Sequence, residues 1–144
     1  MTMISAPMQA LLGTDAVAHC WTANPDGSPQ VSVVWVIAQD DEVLFGTDAG
    51  SIKARNIAAN PKVILSIEDT ERNERGFQRH LVIRGTASIE PGPNPALMDA
   101  LAHKYTGLRR HPLAMRDSPT SVVVRVAIDR ISGVGPWIED RAAA

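Results

Sequence analysis

Cysteine is almost missing. Cys20 stands alone in 144 residues, so no intramolecular disulfide can form and a reducing compartment is the natural expectation. Set in an apolar run, it reads as an inert core thiol. Aromatic residues are scarce at 4%, and charge is nearly balanced, with 14 basic against 16 acidic side chains and a formal net charge of -2. That balance argues against nucleic acid or an anionic membrane as the main partner. No apolar run approaches the ~18 residues that a spanning helix needs, and the opening MTMISAPMQALLG lacks the basic start of a secretory signal. A cytoplasmic protein is expected. Glycine-rich dinucleotide loops, Walker loops and the G-x-S-x-G elbow are all absent, which excludes Rossmann, P-loop and serine-hydrolase readings. The histidines His19, His80, His103 and His111 lie in separate elements without a close-spaced ligand partner, so no metal site is expected.

What is present fits one domain over 1–144, with a frayed tail at 142–144, and a composition 44% hydrophobic supplies its core. Ser5 and Pro7 mark a short helix start, with Met8, Leu11 and Leu12 as its apolar face and Gly13 as its stop. Ala16 to Ala23 reads as a strand. The turn-rich NPDGSP, with Asp26-Gly27 at its centre, links it to a β-branched run from Gln30 to Ala38. Asp40-Asp41 turns the chain into a strand from Glu42 to Thr47. Val63, Leu65 and Ile67 alternate as a strand, Asp69 to Arg79 is polar and charge-balanced, and His80 to Ile89 returns to strand. Asn94 and Pro95 open a helix carrying Leu97, Leu101 and Tyr105, which stops at Gly107. A last strand, TSVVVRVAID, leads into Ile131 to Trp137. Several short strands joined by tight turns, with few helices, predict a mainly β, α+β architecture built on an antiparallel barrel.

The most informative segment is FGTDAGSIKARNIAANP, from Phe45 to Pro61. It predicts a strand end, a small-residue loop and a helix opening on Ser51 and closing at Asn60-Pro61. Lys53 and Arg55 lie near the start of that helix, where cations oppose the macrodipole. An anion nearby would resolve the conflict, and the free N–H groups of a first helical turn suit a phosphate. Ser51 can cap the helix or donate to that anion; Lys53 brings a point charge and Arg55 a planar fork. A solvated basic surface helix would carry the same residues.

The order of these features resembles the split β-barrel flavin and deazaflavin oxidoreductases of the pyridoxamine 5'-phosphate oxidase-like superfamily. The residues that carry it are the D-G-x-P hairpin, Q-V-S-V-V-W-V, the strand ending near Gly46-Thr47, S-x-K-x-R-N-x-x-x-N-P, and the strands Val63 to Ile67 and Leu81 to Ala87. K-A-R-N at Lys53 to Asn56 and the G-P-W ending at Trp137 are most similar to the F420-dependent reductases of the B type. The resemblance implies a homodimer with two cofactor sites at the interface. It places the cofactor phosphate at Ser51, Lys53 and Arg55, with Thr47 reaching the ribityl chain or phosphate. It lays the ring against Gln30 to Trp35, with Val33 and Val34 offering backbone groups and Trp35 lining the pocket. Gln78, Arg79 and His80 would contribute from a neighbouring strand or subunit, and Trp137 would cross to the partner. Trp21, Trp35 and Trp137 also read simply as core or interface anchors.

Three functions follow from that resemblance. One is an oxidoreductase that binds coenzyme F420 and passes hydride from the reduced deazaflavin to a small conjugated acceptor. Another is an FMN-binding oxidoreductase on the same fold. The last is a flavin or deazaflavin carrier without turnover. No catalytic residue is singled out. The phosphate oxidases' additional arginine and substrate-binding motifs are not found here, which argues against vitamin B6 oxidation.

Overall fold

The computed structural model describes residues 2–138; the frayed tail expected at 142–144 lies outside them. A short helix, α1 (Ala6–Leu12), is capped by Ser5 and buries Met8, Leu11 and Leu12. Strands β1 (Ala18–Ala23) and β2 (Pro29–Val34) form the hairpin around Asp26-Gly27. Then come β3 (Ile37–Gln39), β4 (Glu42–Asp48), α2 (Ile52–Ala59), β5 (Lys62–Arg72), β6 (Gln78–Pro91), α3 (Pro95–Thr106) and β7 (Ser121–Val134). Asp40 and Asp41 both take positive φ, 53° and 61°, as a two-residue hairpin turn demands. The Asp41 carboxylate also accepts the Ile4 N–H at 2.9 Å, fastening the N-terminal segment to this turn.

All seven strands pair antiparallel in the order β2-β1-β5-β6-β7-β4-β3. The outermost strands, β2 and β3, are consecutive in the chain and separated only by Trp35 and Val36. Three Cα steps span at most about 11 Å, so the two edges of the sheet must meet. The sheet therefore rolls into a barrel with a split along Trp35-Val36. Inside it pack the alternate residues of each strand, among them Cys20, Phe45, Leu65, Ile83 and Val126. Burial pushes the Cys20 thiol up to about 11, which keeps it protonated and unreactive near neutral pH.

The split interrupts what the sequence predicts as one strand from Gln30 to Ala38. Backbone groups at a split lose their ladder partners and need others. Tyr105 and Lys104 on α3 supply them. The Tyr105 hydroxyl accepts the Val36 N–H at 3.1 Å and donates to the Ala16 carbonyl at 2.9 Å. The Lys104 ammonium donates to the Val36 carbonyl. Desolvation there pushes the Lys104 ammonium down to about 8. Tyr105 is thus a hydrogen-bonding clasp on the seam as well as part of an apolar stripe.

Two other expectations change. The polar run Asp69 to Arg79 is mostly strand: β5 and β6 continue past the barrel as a hairpin that turns at Asn73–Phe77. A two-stranded ribbon needs no apolar face, so alternation gives no signal there. At the far end, β7 runs on to Val134, and Trp137 folds back beneath its own chain. It is 0% exposed and donates from Nε1 to the His80 carbonyl at 3.0 Å. Trp137 does not cross to a partner.

Candidate functional site

The helix start at Ser51 is built from both sides. Ser51 is the N-cap of α2, and its Oγ accepts the Ala54 N–H at 3.2 Å and the Thr47 hydroxyl at 3.0 Å. Two incoming donors leave the Ser51 O–H free to donate to an acceptor of its own. The N–H groups of Ile52 and Lys53 are the remaining orphans of the first turn. Preceding this, the Asp48 carboxylate accepts the Gly50 N–H at 2.8 Å and the Thr120 hydroxyl at 2.6 Å, shaping the loop between β4 and α2.

Lys53 borders a cavity of about 300 Å³ together with Val33, Val34, Trp35 and Thr47, five of the expected cofactor residues in one place. Met98 and Leu101 of α3, with His111 and Met115 beyond it, close the other side. Arg55 is not part of this cavity. Residues two apart on a helix point about 200° away from each other, so Arg55 faces a separate cavity between α2 and the β1–β2 turn, lined by Asn24, Ile52 and Asn56. The buried Asn56 ties the two elements together, donating to Thr22 Oγ1 at 3.1 Å and Asn24 Oδ1 at 2.9 Å.

Gln78, Arg79 and His80 gather elsewhere in the chain. The Gln78 amide donates to the Asp69 and Glu71 carbonyls. Arg79 pairs with the Asp69 and Glu71 carboxylates, each at 2.8 Å, and lies 5.5 Å from the Trp137 ring centroid. The His80 Nδ1 lies 3.0 Å from the Gln78 carbonyl, to which it donates. Within one chain these three hold the β5–β6 hairpin, and none of them lines the Lys53 cavity.

Sequence reasoning named Trp35 but missed the residues that hold it, Tyr105 and His111. Trp35 stacks on Tyr105 with ring centroids 5.2 Å apart and planes 5° from parallel, and meets His111 at an edge, 5.9 Å away. Asp99 holds this wall in place through a two-pronged contact with Arg116 and a bond from the His111 N–H. The Arg116 hydrogen bonds, and then the His111 N–H, hold the Asp99 carboxyl down to about 2. The sign follows: this interaction is complete above the ordinary carboxylate range and is lost only as pH falls through about 2.

Comparison with known proteins now decides the family. The family profile described as pyridoxamine 5'-phosphate oxidase matches residues 6–135. The chain belongs to this family. Among solved structures, one described as an F420 reductase is 31% identical, with 86% of this chain and 94% of that one covered and a TM-score of 0.74. A conserved hypothetical protein from Mycobacterium tuberculosis is 23% identical over 96% of this chain and 89% of its own, with a TM-score of 0.73. An FAD-binding protein from Mesorhizobium loti is 21% identical over 86% and 88%, with a TM-score of 0.61. The last two likenesses show the fold. No curated protein matches the sequence. Membership of the pyridoxamine 5'-phosphate oxidase family agrees with the split barrel, its short helices and the expected F420-reductase-like grouping. No helix among the described residues is long and apolar enough to cross a membrane.

Proposed function

We propose that this protein is an oxidoreductase that binds coenzyme F420 at the Ser51–Lys53 helix start and reduces a small conjugated acceptor. The observation that carries the reading is the joining of a phosphate-type grip to an apolar, aromatic-walled cavity. At the grip, the Ser51 hydroxyl is free to donate, first-turn N–H groups are unspent, and Lys53 of the same turn borders the cavity. Beyond it, Trp35 presents a flat wall, and the extended backbone of Val33 and Val34 borders the same space. These residues fit a phosphate-bearing flavin or deazaflavin. The likeness to an F420 reductase at 31% identity favours the deazaflavin. FMN needs the same grip, and the FAD-binding neighbour keeps a flavin as the alternative.

When bound, the cofactor would supply hydride, and the chain its position. Lys53 and Ser51 would neutralise and orient the phosphate end. Val34, Met98 and Leu101 would give the rest of the cavity an apolar lining. Thr47 holds the Ser51 hydroxyl in its capping geometry.

We place a second copy of the chain on the outer face of β1 and β2. Trp21, Val31 and Val33 are 39%, 43% and 57% exposed there, and Trp21 stands directly across from Val31. Closing two such faces together would bury this patch and cover the open side of the Lys53 cavity. Arg55, Gln78, Arg79 and His80 would then act from the rim or from the partner. Light scattering should give twice the chain mass, and Val33→Asp should shift it towards the single chain; a wild-type monomer at micromolar concentration overturns the dimer.

The direct test is titration of the apo-protein with F420 and with FMN. Lys53→Ala is expected to weaken the preferred cofactor about tenfold or more, close to 1.4 kcal/mol. Arg55→Ala should change it by less than about threefold, as an exposed rim cation would. Unchanged affinity in Lys53→Ala would sink the site. Oxidation of reduced F420 by a panel of enones and quinones then separates an enzyme from a carrier.

A further inference from the structure

We infer that His111 is the hydrogen-bond donor that orients a planar, conjugated carbonyl compound in the Lys53 cavity, through Nε2–H to the carbonyl oxygen. This deepens the reductase reading by naming what holds the acceptor, and it rests on that reading for the identity of the cavity.

His111 follows α3 in a polar stretch, yet it is only 6% exposed and borders the cavity. Two contacts fix it. Its backbone N–H donates to Asp99 Oδ1 at 2.9 Å, and Asp99 is gripped by Arg116 through Nε at 2.8 Å and Nη2 at 2.9 Å. The Leu113 N–H donates to the ring Nδ1 at 3.2 Å. A backbone amide can only donate, so Nδ1 keeps its lone pair and the neutral ring carries its proton on Nε2. Among the described residues Nε2 has no hydrogen-bond partner, and it is not one of the side-chain atoms sealed away from solvent without one.

Around that one fixed donor the wall is apolar. Val34, Met98, Leu101 and Met115 border the same cavity, and the Trp35 plane, itself held by Tyr105, meets the imidazole at 62°. Thr47 has spent its proton on Ser51, and Lys53, on a flexible stem, is the other donor-bearing side chain of the lining. A flat aromatic wall selects a planar ligand, and a donor held at a fixed position selects an acceptor atom at one point of it. The two methionines adapt to ligand outline without supplying polar contacts.

The test uses substitutions that divide the imidazole's two functions. Asparagine puts an acceptor near Nδ1, keeping the Leu113 contact but losing the Nε2 donor; glutamine puts an amide N–H near Nε2 and loses the Leu113 acceptor. Menadione binding is read by tryptophan quenching in the wild type, His111→Asn and His111→Gln. His111→Asn should bind about tenfold more weakly, while His111→Gln stays within about threefold of wild type. The reverse order, or equal affinity in all three, overturns the inference, since a loop-anchoring role alone would favour asparagine. Should the glutamine variant not fold, 2-methylnaphthalene replaces it as the control, having the same ring system without carbonyls. The wild type should prefer menadione over it about tenfold, and the preference should vanish in His111→Asn; no preference in the wild type overturns the inference. F420 and FMN titrated against the same proteins keep the two readings apart. A menadione loss in His111→Asn with neither cofactor binding the wild type overturns only the cofactor reading. Cofactor binding with undiminished menadione affinity overturns only the role of His111.

Discussion

Trp137→Ala is expected to lower the free energy of unfolding by about 3–5 kcal/mol, the range for truncating a buried large aromatic. The indole is fully buried in the main core cluster, so its loss leaves a void among residues fixed on several strands. It also strips the His80 carbonyl of its 3.0 Å donor and removes the ring that Arg79 covers. Trp137→Phe separates these contributions. Most of the burial survives, and the remaining deficit of about 1 kcal/mol measures the hydrogen bond. Urea unfolding of the three proteins reads both values. An alanine variant within about 0.5 kcal/mol of wild type would show that Trp137 does not pack as described.

Gly133→Ala should be nearly as damaging, at about 3 kcal/mol or more. Gly133 has φ of 118°, which side-chain-bearing residues rarely adopt, and a Cβ there would lie 2.2 Å from the His80 carbonyl oxygen. That oxygen belongs to β6, paired with β7 along a long ladder, so it can yield only if the two strands part. In a chain of this size the deficit corresponds to a melting temperature lower by roughly 10 °C. The neighbouring exposed Ser132→Ala is the control and should leave the melt unchanged. Wild-type melting of Gly133→Ala would refute the close approach of β7 to His80.

Much of this fold is legible locally. Asp26-Gly27 marks the first hairpin, Asn94 and Gly107 bound α3, and Ser51 with Asn60-Pro61 bounds α2. In each case the residue that sets the backbone is part of the element it ends. The seam at Trp35-Val36 is different. Its clasps on α3 lie 69 and 68 residues away, and the β-branched run carries no sign of them. The site divides the same way. Ser51 and Lys53 are readable because capping and helix electrostatics are local rules. Arg55 needs knowledge of which helix face turns inward, and Asn56 decides that by binding Thr22 and Asn24. His111 is the least legible, a lone histidine before a proline whose place depends on Asp99, Arg116 and the Leu113 N–H.

The position of β7 has a consequence for how the molecule is made. It is the last strand among the described residues, yet it sits between β6 and β4. Until it arrives, both neighbours present unpaired edges, open to other chains. On the ribosome the N-terminal hairpins can form first, but closure must wait for residues 121–134 to emerge. Their pairing with Glu42 to Asp48 joins segments far apart in sequence, a slow kind of contact to make. The interval before that strand docks is when a nascent chain of this protein most needs a chaperone.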